Sequence, residues 1–282
     1  MHGVRLTIRL LIITVALMGI GTVVAQAPYR ILITNDDGAD APGIMALYKE
    51  IVTLPNTVVM IVAPDRNYSG AGHWVNLRDP FLIEEVKLED KGIGYKVSVP
   101  PASCVTIGTR TLMTPKPDLV VSGINPGTNA GLVTPSSGTV AGAREAAMTG
   151  IPAIAISLDR PGSRAPFDFT RAAQYARQLV ELVRSQGLAA GVFLNINIPA
   201  QEVEPKGFLV TRQSLRDLGY VFVKQTNPLG RDLYWQTRER EPVEPEEGTD
   251  EWAVQKGYVS VTPFTINQTI PVPVPGLNAL KP

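Results

Sequence analysis

The chain has 282 residues, with 26 basic and 26 acidic side chains and a hydrophobic fraction of 44%. This charge balance argues against a protein that binds a nucleic-acid polymer through a basic surface. The chain has one cysteine, Cys104, which excludes an internal disulfide framework. Its small apolar neighbours indicate a buried packing residue rather than a nucleophile.

The first 27 residues have the pattern of an export signal. Arg5 and Arg9 precede an almost unbroken apolar run from residue 10 to 24, followed by the small-x-small motif Ala25-Gln26-Ala27. The apolar run is shorter than the roughly 20 residues that span a bilayer. Removing this segment changes the formal charge from 0 to 24 − 26 = −2. We therefore predict a signal peptide over residues 1–27 and a periplasmic location, with an uncleaved anchor or a cytoplasmic location as alternatives.

Two adjacent carboxylates, Asp36 and Asp37, follow the first predicted strand. Residues 31–34 are apolar and β-branched, as in a strand buried on both faces. Pro42 stands where a helix would begin, and apolar residues recur behind it at the spacing of a helix face. Ligands of open α/β sheets bind at such strand ends, and two neighbouring anions repel unless a cation lies between them. The alternative is an Asx-rich turn that caps the helix.

Two later predicted strands also end in loops that carry oxygen ligands. Residues 58–62 lead into a glycine-rich loop with Ser69, and residues 118–122 lead into a loop with Asn125. In a parallel sheet with right-handed crossovers these loops lie along one edge, so both side chains converge with the acid pair. Four oxygen donors favour a hard ion, Mg²⁺ or Mn²⁺ before Zn²⁺.

A hydroxyl-rich stretch at residues 136–143 precedes a predicted Ala-rich helix. Backbone N–H groups at a helix start bind anions, and nearby hydroxyls add hydrogen bonds. The alternative is an ordinary N-cap. Because we expect this stretch to lie beside a metal-binding acid pair, we interpret it as a phosphate site. Its candidate residues are Ser137, Gly138 and Thr139.

Two further side chains are candidates to contact the leaving oxygen, Asn129 and His73. His73 is the only histidine after the first 27 residues, and a packing or surface role is its alternative. Asn195 and Asn197 alternate with apolar residues, which predicts a strand whose polar side faces the site or solvent.

The remaining segments look structural. Residues 76–99 predict antiparallel strands or another β excursion, and residues 169–183 carry one apolar helix face. The charged, proline-interrupted residues 201–250 predict a projecting arm. Residues 264–282 form a Pro-rich tail, so residues 28–282 are interpreted as one α/β domain.

Seven segments run from about residue 30 to residue 263 in the order of a known family. They are ILITNDDGADAPGI, VVMIVAPDRNYSGAG, DLVVSGINPGTN, SSGTVAGAREAAMTGIPAIAISL, FLNINIP, TRQ and TDEWAVQKGYVSVTP. Together they resemble the SurE family of survival nucleotidases. The resemblance implies a Rossmann-like, mostly parallel sheet flanked by helices. It also implies a projecting β-hairpin arm and a C-terminal segment that assemble homodimers or homotetramers.

The resemblance further implies a phosphomonoesterase that uses one divalent metal ion, Mg²⁺ or Mn²⁺, and a metal-activated water. Its substrates would be nucleoside 5′- and 3′-monophosphates or other small phosphomonoesters. Asp36 and Asp37 would be catalytic, and Asn125 and Asn129 would join the helix start in binding substrate. The implied metal ligands are Asp36, Asp37, Ser69 and Asn125.

The stretch at residues 130–136 departs from the family pattern. The acidic residues and the tyrosine usual before Ser-Gly-Thr are missing there. All four ligand positions are retained. The alternative interpretation is therefore an exported protein that binds metal or nucleotide with weak or lost turnover.

Overall fold

The structure, a computed structural model, describes residues 27–88, 92–162, 165–238 and 243–269. The predicted signal peptide lies outside the described residues except for Ala27, and so does most of the predicted Pro-rich tail. Within these four ranges, no helix combines the length and apolar character needed to cross a membrane.

In the described part of the chain, a nine-stranded sheet forms the centre of the fold. Its strands, in chain order, are β1 (Tyr29–Thr34), β2 (Thr57–Pro64), β3 (Ile83–Lys87), β4 (Ile93–Val97), β5 (Leu119–Pro126), β6 (Ala153–Leu158), β7 (Val192–Ile198), β8 (Phe208–Val210) and β11 (Val259–Thr265). The order across the sheet is β3-β4-β2-β1-β5-β6-β7-β11-β8. The strands from β4 to β7 in this order are parallel, whereas β3 and β11 each run antiparallel to a neighbour.

Among the described residues, five helices accompany the sheet, and two short helical turns lie between the second and third of them. The helices are α1 (Pro42–Ile51), α2 (Pro101–Ile107), α3 (Gly138–Met148), α4 (Thr170–Gln186) and α5 (Asp250–Gln255). A π-helical turn, Gly108–Leu112, continues α2, and a 3₁₀ helix, Gly131–Ser136, precedes α3.

Apolar residues on both sheet faces explain the continuous hydrophobic runs in the sequence. Ile31 and Ile33 of β1 belong to one core cluster with residues of α1 and α4. Leu32 between them belongs to a second cluster with residues of α2 and α3. A strand covered on both faces has no polar side, so it shows no alternation. The predicted fold class is therefore confirmed.

The predicted β excursion and helix face also agree with the structure. β3 and β4 pair antiparallel within residues 76–99, and the apolar face of α4 is buried. Cys104 is fully buried, and burial raises the pKa of its thiol. Asn195 and Asn197 do not face solvent, because both are buried in β7.

A separate antiparallel hairpin lies within the predicted arm but is shorter than residues 201–250, because β8 at residues 208–210 pairs with the large sheet. It consists of β9 (Tyr220–Thr226) and β10 (Asp232–Arg238), which pair with each other and not with the large sheet. Large side chains such as Phe222, Tyr234 and Trp235 are exposed along it. A role of this hairpin in assembly stays a prediction, as does the single-domain boundary at residues 28–282.

Candidate functional site

A cleft of about 720 Å³ opens at the carboxyl ends of the central strands. Its walls come from the loops after β1, β2 and β5, which are neighbours in the sheet. Six of the predicted site residues line it: Asp36, Asp37, Ser69, Asn125, Asn129 and Ser137. Asp36 and Ser137, which are 101 positions apart in the sequence, thus line the same cavity.

Asp36 is a rigidly held carboxylate in the floor of this cleft. Its side chain is 3% exposed, and its Oδ1 accepts a hydrogen bond of 2.5 Å from the Thr139 hydroxyl. Burial raises the pKa of Asp36, and hydrogen bonds from Thr139 and the Gly138 backbone oppose that rise. Asp36 is therefore oriented before any ligand arrives.

Asp37 is the less satisfied member of the acid pair. Burial raises the pKa of its carboxyl group from 3.8 to about 7, and the charge of Asp36 adds to the rise. Its Oδ2 atom is buried and has no hydrogen-bond partner among the described residues. A divalent cation would supply the missing partner and offset the repulsion between the two acids. The residues present therefore fit a hard metal ion.

Local hydrogen bonds shape the loops that carry the acid pair and Ser69. The Asn35 side chain donates to the carbonyl of Gly38 and accepts from its amide, at 2.9 and 3.2 Å. Gly38 has a φ of 114°, a conformation that favours glycine. The Tyr68 amide donates to the Asp36 carbonyl at 2.7 Å, which joins the first loop to the second.

Ser69, in the loop after β2, and Asn125, near the end of β5 rather than in a loop, are braced in the same way. Asn67 Oδ1 accepts from the Ser69 amide at 2.7 Å. Asn125 Nδ2 donates to the Gly127 carbonyl at 2.6 Å, which orients its amide group. An amide whose nitrogen is already bonded keeps its oxygen as a donor atom for a cation.

Asn129 is locked by a buried polar network that sequence reasoning missed. Its amide donates to Asn197 Oδ1 at 2.8 Å, and its side chain donates to Ser157 Oγ at 2.9 Å. Its carbonyl accepts from the side chains of both Asn195 and Asn197. The sequence signal for this network is the presence of two asparagines in an apolar strand, because buried amide groups need hydrogen-bond partners.

At the start of α3, one residue lines the cleft and the next two contact Asp36 from behind the cleft surface. Ser137 lines the cleft and also accepts from the Val140 amide at 3.1 Å, so the N-cap role is present. Thr139 is fully buried, and its hydroxyl is committed to Asp36. Gly138 packs directly against the Asp36 side chain. Phosphate binding by this segment stays a prediction.

His73 has the packing role rather than a place in the cleft. Its Nε2 atom lies 2.9 Å from Glu145 Oε2, and Thr106 donates to the other oxygen of Glu145 at 2.8 Å. The hydrogen bond from His73 is the largest cause that lowers the pKa of Glu145. His73 is absent from the described residues that line the cleft.

Four further charged or aromatic residues line the cleft: Asp159, Arg160, Tyr220 and Arg238. Asp159 and Arg160 directly follow β6, so the rule applied to the other strand ends could have found them. Burial raises the pKa of Asp159. Tyr220 and Arg238 belong to the hairpin, and no sequence signal indicates that the hairpin reaches the cleft.

The fold and the site together define a Rossmann-like α/β protein with a candidate divalent-metal site at the ligand-binding edge of its sheet. The chain belongs to the SurE family, since the family model "Survival protein SurE" matches residues 31–219. The chain is similar to 5′-nucleotidase SurE 1 of Thermus thermophilus, with 44% identity over 85% of this chain and 93% of that protein.

Another relative and a solved structure agree with this assignment. The 5′-nucleotidase SurE of Geobacter sulfurreducens is 43% identical over 85% of this chain and 89% of that protein. The crystal structure of the SurE protein from Aquifex aeolicus is 40% identical and superposes with a TM-score of 0.73. The superposed region covers 85% of this chain and 94% of the Aquifex aeolicus chain.

Proposed function

We propose that this protein is a divalent-metal-dependent 5′-nucleotidase, a phosphoric monoester hydrolase that acts on nucleoside monophosphates. Relatives named 5′-nucleotidase SurE at 43–44% identity support the activity. The observation that carries the metal site is the buried Oδ2 of Asp37 beside Asp36, which has no hydrogen-bond partner within the part of the chain that the structure describes. Nucleoside 3′-monophosphates and other small phosphomonoesters are the further substrates that we propose.

We assign one metal ion, Mg²⁺ or Mn²⁺, to the oxygen atoms of Asp36, Asp37, Ser69 and Asn125. When bound, such an ion polarises a phosphoryl oxygen and lowers the pKa of a coordinated water. The oxygen-only donor set supports a hard cation.

The protein's own groups supply orientation and charge in this proposal. Asp36, restrained by Thr139, is a fixed ligand, whereas Asp37 would hold the ion through its Oδ2 atom and orient the attacking water with its other carboxylate oxygen. The Ser137 side chain, which lines the cleft, would contact the phosphoryl oxygens, where charge develops during transfer. Arg160 adds a positive charge at the same cleft.

Location and assembly extend the proposal beyond the site. Export to the periplasm stays a prediction based on residues 1–27, with the cytoplasm as the alternative. We propose a homodimer or homotetramer that uses the exposed hairpin, and no binding of nucleic-acid polymers. The alternative of a binding protein without turnover is not favoured, because the relatives at 43–44% identity carry enzyme names.

Metal removal tests the proposed function directly. The full chain should release phosphate from AMP with Mn²⁺ or Mg²⁺, should fall to the background rate in EDTA, and should recover when the metal is restored. Phosphate release is measured colorimetrically, with circular dichroism as the check on folding. Folded protein that is inactive with both metals, or fully active in EDTA, would contradict the proposal.

The hydroxyl of Thr139 gives a second test. The change Thr139→Val leaves the buried Asp36 carboxylate without its side-chain donor, so we expect metal affinity and kcat/KM to fall about 10–100-fold. Thr139→Ser keeps the hydroxyl and should stay near the wild type. Calorimetric Mn²⁺ binding and AMP hydrolysis are the measurements. A valine variant that matches the serine variant in both would refute the positioning role.

A further inference from the structure

Tyr220 and Arg238 form a paired surface at the root of the hairpin. They are opposite each other in the β9–β10 register, and the Arg238 guanidinium carbon lies 5.3 Å from the centre of the Tyr220 ring. A guanidinium at this distance is attracted to the ring face and restrains its orientation. Tyr220 is still 45% exposed, so part of the ring remains accessible.

The root of the hairpin is anchored to the body of the protein just before this pair. Arg216 donates to both carboxylate oxygens of Glu251 in α5, at 2.9 and 3.1 Å. The Ser214 amide donates to Asp250 at 2.9 Å. Gly219, with a φ of 61°, then turns the chain into β9. These contacts fix where Tyr220 stands relative to the sheet.

Tyr220 is the single aromatic side chain among the described residues that line the cleft. The acid pair, Ser69 and Asn125 provide polar groups for the phosphoryl end of a substrate. A nucleoside monophosphate also has a flat aromatic base, which needs a flat apolar partner. The cleft of about 720 Å³ is within the usual size range for small-molecule sites.

Open space continues from the cleft beside Arg238. A second cavity of about 330 Å³ shares Thr128, Asp159 and Arg238 with the cleft. Its other walls include Glu251 and Gln255, which can form hydrogen bonds. The cleft is therefore extended by further space on the Arg238 side of the pair.

We infer that Tyr220, restrained by Arg238, is the platform on which the base of a nucleoside monophosphate stacks. This inference rests on the proposed function and deepens it. Because every base has a π-face, stacking tolerates different bases. The platform distinguishes nucleotides from sugar phosphates rather than one base from another.

The test compares two substrates that share the phosphoester and the sugar, AMP and ribose 5-phosphate, with Mn²⁺ present. Tyr220→Leu should raise KM for AMP about tenfold, at the lower end of what a base–aromatic stack contributes. It should leave KM for ribose 5-phosphate unchanged. Tyr220→Phe should behave like the wild type with both substrates.

Tyr234→Leu is the matched control. Tyr234 is on the other strand of the same hairpin, is 64% exposed and does not line the cleft. Any effect of this change on assembly should alter both substrates alike, so the ratio of their kcat/KM values should stay at the wild-type value. Equal losses for AMP and ribose 5-phosphate in Tyr220→Leu would overturn the inference.

A binding measurement without metal separates this inference from the proposed activity. Calorimetric binding of adenosine should be about tenfold weaker in Tyr220→Leu than in the wild type. Equal adenosine binding by the two proteins, or none by the wild type, would overturn the platform. Wild-type protein that binds adenosine but releases no phosphate from either substrate would refute the nucleotidase proposal alone.

Discussion

Replacing Asp37 with asparagine is expected to lower metal-dependent kcat/KM for AMP by about 10³-fold or more. An amide oxygen is a weaker ligand for a hard cation than a carboxylate, and it cannot orient a water by accepting its proton. Calorimetric Mn²⁺ binding should weaken in parallel. A variant that keeps the full metal-dependent rate would remove Asp37 from the site.

Asp40→Asn is the matched control on the same loop. Asp40 is exposed and forms an ion pair with Lys96 on the surface. Exposed pairs of this kind contribute little to stability. The Asp40 variant should keep the wild-type rate and metal affinity, so that a loss confined to Asp37→Asn is assigned to the cleft.

The Asp37→Asn variant should also change the pH dependence of stability in the metal-free protein. The folded pKa of Asp37, about 7, lies above its ordinary value of 3.8. The folded state therefore holds this proton more tightly, and the free energy of unfolding falls as pH rises from about 4 to about 7. Asp37→Asn removes this contribution.

Urea unfolding at pH 5 and pH 8 measures the difference. Asp37→Asn should gain stability relative to the wild type at pH 8 and gain less at pH 5, although it has lost activity. Added Mn²⁺ should stabilise the wild type more than the variant, since ligands that bind the folded state raise its stability. Identical pH dependence in the two metal-free proteins would contradict the burial argument.

Replacing Gly138 with alanine is the second change with a large expected effect. A Cβ atom at residue 138 would lie 2.7 Å from Asp36 Cβ and 2.9 Å from Asp36 Oδ2. One of the two groups must move, and misplacement of about 1 Å at a reacting centre can lower the rate about 10²-fold. Overpacking of this kind also destabilises a protein by about 1–3 kcal/mol.

Steady-state AMP hydrolysis and urea unfolding test both effects. Gly162→Ala is the control, because a methyl group there meets no described atom within 4 Å. It should leave activity unchanged. A Gly138→Ala variant with wild-type kcat/KM would show that Asp36 need not stand where the structure places it.

Much of the candidate site could be predicted because its clues are local. A buried strand followed at once by two acids is visible in residues 31–37, and buried apolar strands also precede Ser69 and Asn125. The parallel sheet then brings these strand ends together by topology alone. The role of each acid could not be read in this way, because the groups that restrain Asp36, the Thr139 hydroxyl and Gly138, come from a distant helix.

The sequence by itself determined the fold class, the family and the candidate oxygen ligands, because each depends on short segments and their order. Only the tertiary structure decided that Thr139 binds a carboxylate 103 residues away. It also decided that β7 locks Asn129 and that a remote hairpin brings Tyr220 and Arg238 to the cleft. Such contacts depend on how distant segments pack, and local sequence does not encode the distance or orientation between them.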